Sequence, residues 1–282
     1  MLGGAELVEV SSNGEPGDKG RFVRGVERAL LAGEAEVGVH SAKDVPAEMP
    51  EGLAIAGVPA REDPADVWIG AGSSLDDVPE GARVGTASLR RRAQLLAARP
   101  DLRVEELHGN VDTRLGKLSK GEVDAIVLAA AGLRRLGREG EASFSIPAEA
   151  MTPAAGQGAL VLQTRTDDEA TRDAVAKISD DVSLRELTAE RTVVALLEAT
   201  CASPIGVHAQ IAPIAEKAAG RERMVIDAFV GLPNGSEWLR DRMEGNAGNP
   251  EAVGRQLAER LISAGARDIL DRAEDWSERV GL

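Results

Sequence analysis

The chain has 282 residues, 43% hydrophobic and 28% charged, with a formal net charge of −14. That length implies two or three domains, and no apolar run approaches the roughly 18 residues of a membrane-spanning helix. The acidic balance argues against polyanions such as DNA, and 2% aromatic residues with no tyrosine argue against base-stacking recognition of single strands.

Residues 1–5, Met-Leu-Gly-Gly-Ala, carry neither a basic region nor an apolar signal core, so a cytoplasmic protein is expected. The single cysteine, Cys201, rules out an internal disulfide and a cysteine-rich metal site. His40, His108 and His208 lie far apart without ligand spacing, and no metal is expected. The charge is uneven. Residues 83–138 hold twelve Lys and Arg against six Asp and Glu, a local +6 that leaves −20 elsewhere. This suits either a confined site for a small anion or a solvated basic helix face, and charge alone does not separate them.

Short apolar runs alternating with amphipathic stretches predict an α/β front part. In chain order, a helix is expected over 22–32, then strands over 37–40 and 53–58. A strand ends at Arg83–Thr86, and Ser88 caps a helix to about Arg99. A strand over 102–107 leads to a helix from Asn110 to near Gly121, and a strand over 123–128 to a short helix through Arg135. A strand over 159–163 and a helix over 167–178 close this part. After Asp180 a long helix over 183–199, strands over 206–212 and 224–231, an Asn234-Gly235 turn with a partner strand over 236–243, a helix over 250–264 and a C-terminal helix predict a small α+β domain. Pro59–Pro64 and Pro153–Gly158 read as two crossings between two α/β lobes. Such a plan places ligands in a cleft at the carboxyl ends of strands.

Four polar segments each follow an expected strand or helix. His40–Pro46 holds Ser41, Lys43 and Asp44, fit for proton transfer, charge stabilisation or merely an Asx turn. Gly85–Arg92 holds Thr86, Ser88, Arg90 and Arg91, anion donors at a helix start. Consecutive helical arginines point in different directions, so Arg90, Arg91 and Arg92 are not expected all to line one ligand. His108–Arg114, with Arg134 and Arg135 beyond, brings more cations to strand ends. Glu198–Gly206 holds Cys201 in a loop; a lone cysteine is more often a small apolar residue than a nucleophile.

Taken together and in order, these segments resemble the hydroxymethylbilane synthase (porphobilinogen deaminase) family. His40–Pro46 is similar to its V-H-S-x-K-D-x-P motif, Val84–Arg91 to V-G-T-x-S-L-R-R and Gly109–Arg114 to G-N-V-D-T-R. Ala131–Gly137 is similar to A-G-L-x-R-L-G and Gly156–Ala159 to G-Q-G-A, and Cys201 precedes P-I-G. The resemblance implies an α/β fold of two hinged periplasmic-binding-protein-like lobes plus a small C-terminal α+β domain. It implies domain 1 over 1–59 and 159–180, domain 2 over 60–158 and domain 3 over 181–282. It further implies a monomeric transferase that joins four porphobilinogen molecules head to tail, releasing ammonia, on a dipyrromethane held by a thioether to Cys201. Asp44 would be the catalytic residue, stabilising the cation left by ammonia loss. Ser41, Lys43, Thr86, Ser88, Arg90 and Arg91 would bind the cofactor, and Phe22, His108, Arg114 and Arg135 the substrate. His108 stands where the family commonly has arginine. The family usually begins with a strand and helix bearing R-x-S-x-L-A; here residues 5–10 match its second strand, so the chain is expected to lack the first unit. Two competing readings are an inactive fragment and a non-catalytic two-lobed binder of a small carboxylate.

Overall fold

The computed structural model describes residues 4, 6–10, 20–211 and 222–280. Among these, the elements form three sheets.

The first sheet has the order β1-β8-β2, from β1 (Gly38–Ser41), β8 (Leu160–Arg165) and β2 (Leu53–Gly57), with both neighbours antiparallel to β8. Helices α1 (Gly20–Leu31) and α5 (Glu169–Ala176) belong to this lobe. The strand expected over 5–10 is absent from the described residues 6–10, and Leu7 is 97% exposed. Extended chain becomes strand only by pairing its backbone groups, and no ladder among the described residues includes this segment.

The second sheet has the order β5-β4-β6-β3-β7. Its strands are β3 (Asp66–Gly70), β4 (Arg83–Gly85), β5 (Arg103–Glu105), β6 (Ala125–Ala129) and β7 (Phe144–Ile146). β4 pairs in parallel with β5 and β6, while β3 runs antiparallel to β6 and β7. Two helices, α2 (Leu89–Ala98) and α3 (Val111–Ser119), make the parallel crossovers, and α4 (Ala130–Arg135) follows β6. Alternation explains the three layers. Trp68, Ala125 and Val127 pack with Leu95 of α2, while Val67, Ile69, Ile126 and Leu128 pack with Leu115 of α3 and Leu133 of α4. Strands β3 and β7 were not expected from the sequence. β3 is buried along four of its five residues, so its two-sided burial erases the alternation that marks a strand.

The third sheet is the antiparallel β9-β10-β11, from β9 (Ile205–Ile211), β10 (Arg223–Gly231) and β11 (Trp238–Asn246). Helices α6 (Asp181–Leu196), α7 (Pro250–Ser263) and α8 (Ala266–Val280) complete its domain. Val193, Leu257 and Ile269 from these helices share one core with Val207, Ile226 and Ala228.

Two segments cross between the first and second sheets, between β2 and β3 and between β7 and β8, where the prolines implied them. They touch closely. Gly158 has φ 88°, and a Cβ there would lie 2.2 Å from the Glu62 carbonyl oxygen. Glycine therefore suits both the backbone angle and the space.

Candidate active site

Ser41 closes β1, and Lys43 and Asp44 follow on a single 3₁₀ turn, Ala42–Asp44. All three are half-buried. Gly156 of the second crossing segment lies against this turn; a Cβ there would meet Ala42 Cβ at 2.7 Å and Lys43 N at 3.0 Å.

The carboxyl end of β4 delivers Thr86 and Ser88. The Thr86 hydroxyl accepts from the Ser88 amide at 3.1 Å, and Ser88 caps α2 by accepting from the Arg91 amide. Arg90 and Arg91 are buried, 4% and 5% exposed. In keeping with the expectation that the three arginines do not all share one partner, only these two converge on one carboxylate, Asp66. Arg90 Nη1 lies 2.7 Å from Asp66 Oδ2, and Arg91 Nε and Nη2 lie 3.0 and 2.8 Å from Oδ1. Long side chains leaving one helical turn can curl back to a shared acceptor despite divergent Cβ directions. Arg92 does diverge, and its guanidinium lies over the Trp276 ring at 5.2 Å.

Asp66 was missed by motif reading because it opens an apolar strand outside the basic segment. The available signal was a charged residue at the head of Val67-Trp68-Ile69, where a buried carboxylate must have partners. The topology brings it to the site. β3 is antiparallel to β6, and Asp66 sits opposite Ala129, so the start of β3 lies beside the carboxyl ends of β4 and β6. Gln157, on the second crossing segment, was also missed as a site residue. Its Nε2 donates to Asp66 Oδ1 at 3.1 Å and to the Pro64 carbonyl at 2.6 Å, while its Oε1 faces Lys43 Nζ at 3.4 Å.

Burial, and then the nearby positive charge of Arg91, lower the Lys43 pKa to about 8, against the opposing pull of Asp44 and Asp66. Burial and Arg91 likewise lower Arg114. Arg114 on α3 donates Nε to the Gly109 carbonyl and makes no ion pair among the described residues. Asp66 is held well below the usual carboxylate range by Arg90 and Arg91 despite its burial. The site therefore gathers Arg90 and Arg91 on Asp66, with Lys43 close to both arginines, Arg114 close to Arg91 and Asp44 beside Lys43, an excess of positive charge that an anion would relieve.

Other expected residues lie apart from this network. Exposed His108 contacts Glu106. Arg135 is exposed and donates Nη2 to the Gly158 carbonyl at 2.7 Å. The backbone of Phe22 is in α1, and its side chain lies outside the described residues. Several of the twelve cations counted over 83–138 are held in ion pairs away from this network. Arg83 pairs with Asp124, Arg99 with Asp101 and Arg138 with Asp112 and Glu141.

Cys201 is an exposed free thiol in a turn where the Thr200 amide donates to Ser203 Oγ at 2.9 Å. Four residues after this turn's Cys201, Ile205 begins β9. Val207 then donates its amide to the Pro153 carbonyl at 2.9 Å, seating β9 on the second crossing segment.

Two family models cover most of the chain: porphobilinogen deaminase, dipyromethane cofactor binding domain, over residues 8–173, and porphobilinogen deaminase, C-terminal domain, over residues 184–263. The chain belongs to the porphobilinogen deaminase family. A porphobilinogen deaminase of Thiobacillus denitrificans is 44% identical over 269 residues, 95% of this chain and 85% of that one. One of Brevibacillus brevis is 43% identical over 268 residues, 95% and 84% of the two chains. Among solved structures, the VFT2 domain of Bordetella pertussis BvgS matches with TM-score 0.35 and 18% identity, covering 55% of this chain and 66% of that one. Among the described residues no helix is long and apolar enough to cross a membrane, and no cluster of three His, Cys, Asp or Glu is arranged to hold a metal.

Proposed function

We propose that this member of the porphobilinogen deaminase family is a hydroxymethylbilane synthase, condensing four porphobilinogen molecules head to tail with loss of ammonia in tetrapyrrole biosynthesis. The observation that carries this reading is the excess of buried and half-buried cations beside the Lys43–Asp44 turn. Each porphobilinogen brings two carboxylates, and guanidinium pairs match carboxylates better than they match neutral ligands.

The residues present fit a dipyrromethane. Cys201 offers an exposed thiol for a thioether, and Lys43, Arg90, Arg91 and Arg114 offer cations for its acid side chains, with Ser41, Thr86 and Ser88 as neutral donors. When bound, that group supplies the pyrrole carbon on which the product grows. Asp44 would stabilise the cation that deamination leaves on the substrate and move the proton released at the new bond. Arg135, His108 and Phe22 would meet later rings. We divide the chain into 1–59 with 159–180, 60–158 and 181–282, acting as a cytoplasmic monomer; three separate sheets support the division.

Intact mass under denaturing conditions tests the reading. After exposure to porphobilinogen, the chain should gain one dipyrromethane, and Cys201→Ala should gain none. Asp44→Ala should remain folded and form no hydroxymethylbilane; normal product from it would refute the Asp44 role. An unmodified parent that porphobilinogen nevertheless stabilises would favour a two-lobed carboxylate binder instead.

A further inference from the structure

The fully buried carboxylate of Asp66 belongs to none of the motifs above, yet it is the point on which the cation cluster converges. We infer that Asp66 is the positioning residue of the anion site, holding the Arg90 and Arg91 guanidiniums together so that they receive a pyrrole carboxylate as one preset unit. This rests on the proposed function for the identity of the ligand.

Geometry fixes both arginines through Asp66. Arg90 Nη1 is held between Asp66 Oδ2 at 2.7 Å and the Thr152 carbonyl at 2.8 Å. Arg91 reaches Asp66 Oδ1 with Nε and Nη2, and its Nη1 donates to the Val127 carbonyl at 2.9 Å. Both acceptors are themselves anchored. Thr152 exchanges two hydrogen bonds with Gln94, and Val127 lies in β6. Gln157 completes the carboxylate's contacts and extends them towards Lys43.

Two buried guanidiniums repel each other, and they approach only when an anion lies between them. One carboxylate cannot neutralise both. Arg91 also bears on Lys43 and Arg114, so the cluster keeps surplus positive charge. A fold that needed only stability would be served as well by apolar side chains here; surplus charge points instead to an incoming anion. Asp66 is held ionised by its two arginines, so it has no part in proton transfer and acts through them.

A positioning role acts on binding of the ground state, whereas a merely structural role lowers the number of active molecules. The test is Asp66→Asn, which keeps shape and removes charge, beside Asp66→Glu, which keeps charge and shifts the carboxylate. At a fixed time of exposure, Asp66→Asn should raise the porphobilinogen concentration needed for half of the folded chains to carry the covalent adduct, read by intact mass, at least about tenfold. Asp66→Glu should raise that concentration by a smaller factor. A second readout is independent of turnover. Porphobilinogen titrated calorimetrically into the Cys201→Ala background should bind at least about tenfold more weakly when Asp66→Asn is added. An unchanged half-maximal concentration and Kd, a loss confined to the amount of folded protein, or failure of both variants to fold would make Asp66 structural and overturn the proposal. A parent chain that binds porphobilinogen without turnover, and loses that binding in Asp66→Asn, would refute the proposed activity while upholding the role of Asp66.

Discussion

Lys43 and Asp44 are adjacent in sequence but answer to different surroundings. Lys43 is drawn to about 8 by burial and by Arg91 and Arg90, with Asp44 and Asp66 pulling the other way. Below that pH the ammonium is present to meet a carboxylate; above it the charge is lost. In the free enzyme kcat/KM should therefore fall as pH rises through about 8. Lys43→Arg, which stays charged, should abolish that limb. A limb that persists unchanged in Lys43→Arg would assign it to another group. The sequence displayed the Lys-Asp pair plainly. It did not display the lowered pKa, because Arg91 reaches Lys43 only through the fold.

At the scale of elements, the cysteine loop is held from both sides. Helix α6 ends at Leu196, and Glu198 adopts φ 56°, a left-handed conformation uncommon outside glycine. The Ala199 amide returns to the Val194 carbonyl and the Glu198 amide to that of Ala195, reversing the chain into the Cys201 turn. On the far side, a Cβ on Gly206 would lie 2.5 Å from the Thr152 carbonyl oxygen, the same oxygen that accepts from Arg90. Backbone there cannot yield cheaply. Gly206→Ala should cost about 1–3 kcal/mol in denaturant unfolding, and should lower the fraction of chains that acquire the covalent adduct. Full adduct formation at parental stability would show that β9 does not depend on this close seat. The P-I-G motif was legible in the sequence, but its reason was not, since Thr152 lies 54 positions earlier.

Across the whole molecule, α6 ties the three sheets together through Glu190, a buried carboxylate. It accepts from Arg61 Nη1 at 2.7 Å and Nη2 at 3.2 Å on the first crossing segment. It also accepts from the Gly156 amide at 2.6 Å on the second, and from the Ala209 amide at 2.8 Å in β9. Leu187, one turn earlier, packs among Val23, Val45 and Val161 of the first lobe. The second lobe meets the C-terminal domain differently, through Arg240 on the Ala150 carbonyl and Trp276 on Arg92. Arg61 lowers the Glu190 pKa to about 2 against its burial, with His208 assisting. A carboxylate depressed in the folded state contributes stability above its unfolded pKa, near 4.5, that is lost as pH falls towards 2. Glu186 beside it is raised by burial and works in the opposite sense. Comparison of the parent with Glu190→Gln isolates the first effect. At neutral pH Glu190→Gln should cost about 3–5 kcal/mol, and the gap should narrow between pH 4.5 and 2 in unfolding titrations. A gap independent of pH would show that Glu190 does not act as an ion.

Length, periodicity and the ordered motifs by themselves determined the family resemblance, most helices and the two crossings, and singled out Lys43–Asp44, Arg90–Arg91 and Cys201 as candidate site residues. These are local matters: capping, turn chemistry and spacing are written into neighbouring residues. Tertiary structure alone decided that Asp66 and Gln157 join the network of Lys43 and the two arginines and that Arg90 and Arg91 converge. It alone also decided that His108 and Arg135 face other partners and that residues 6–10 have no ladder. Each of those depends on which strands lie side by side. The antiparallel insertion of β3 into a parallel sheet carries a distant carboxylate to the strand ends where the cations gather, and no spacing along the chain encodes that neighbourhood.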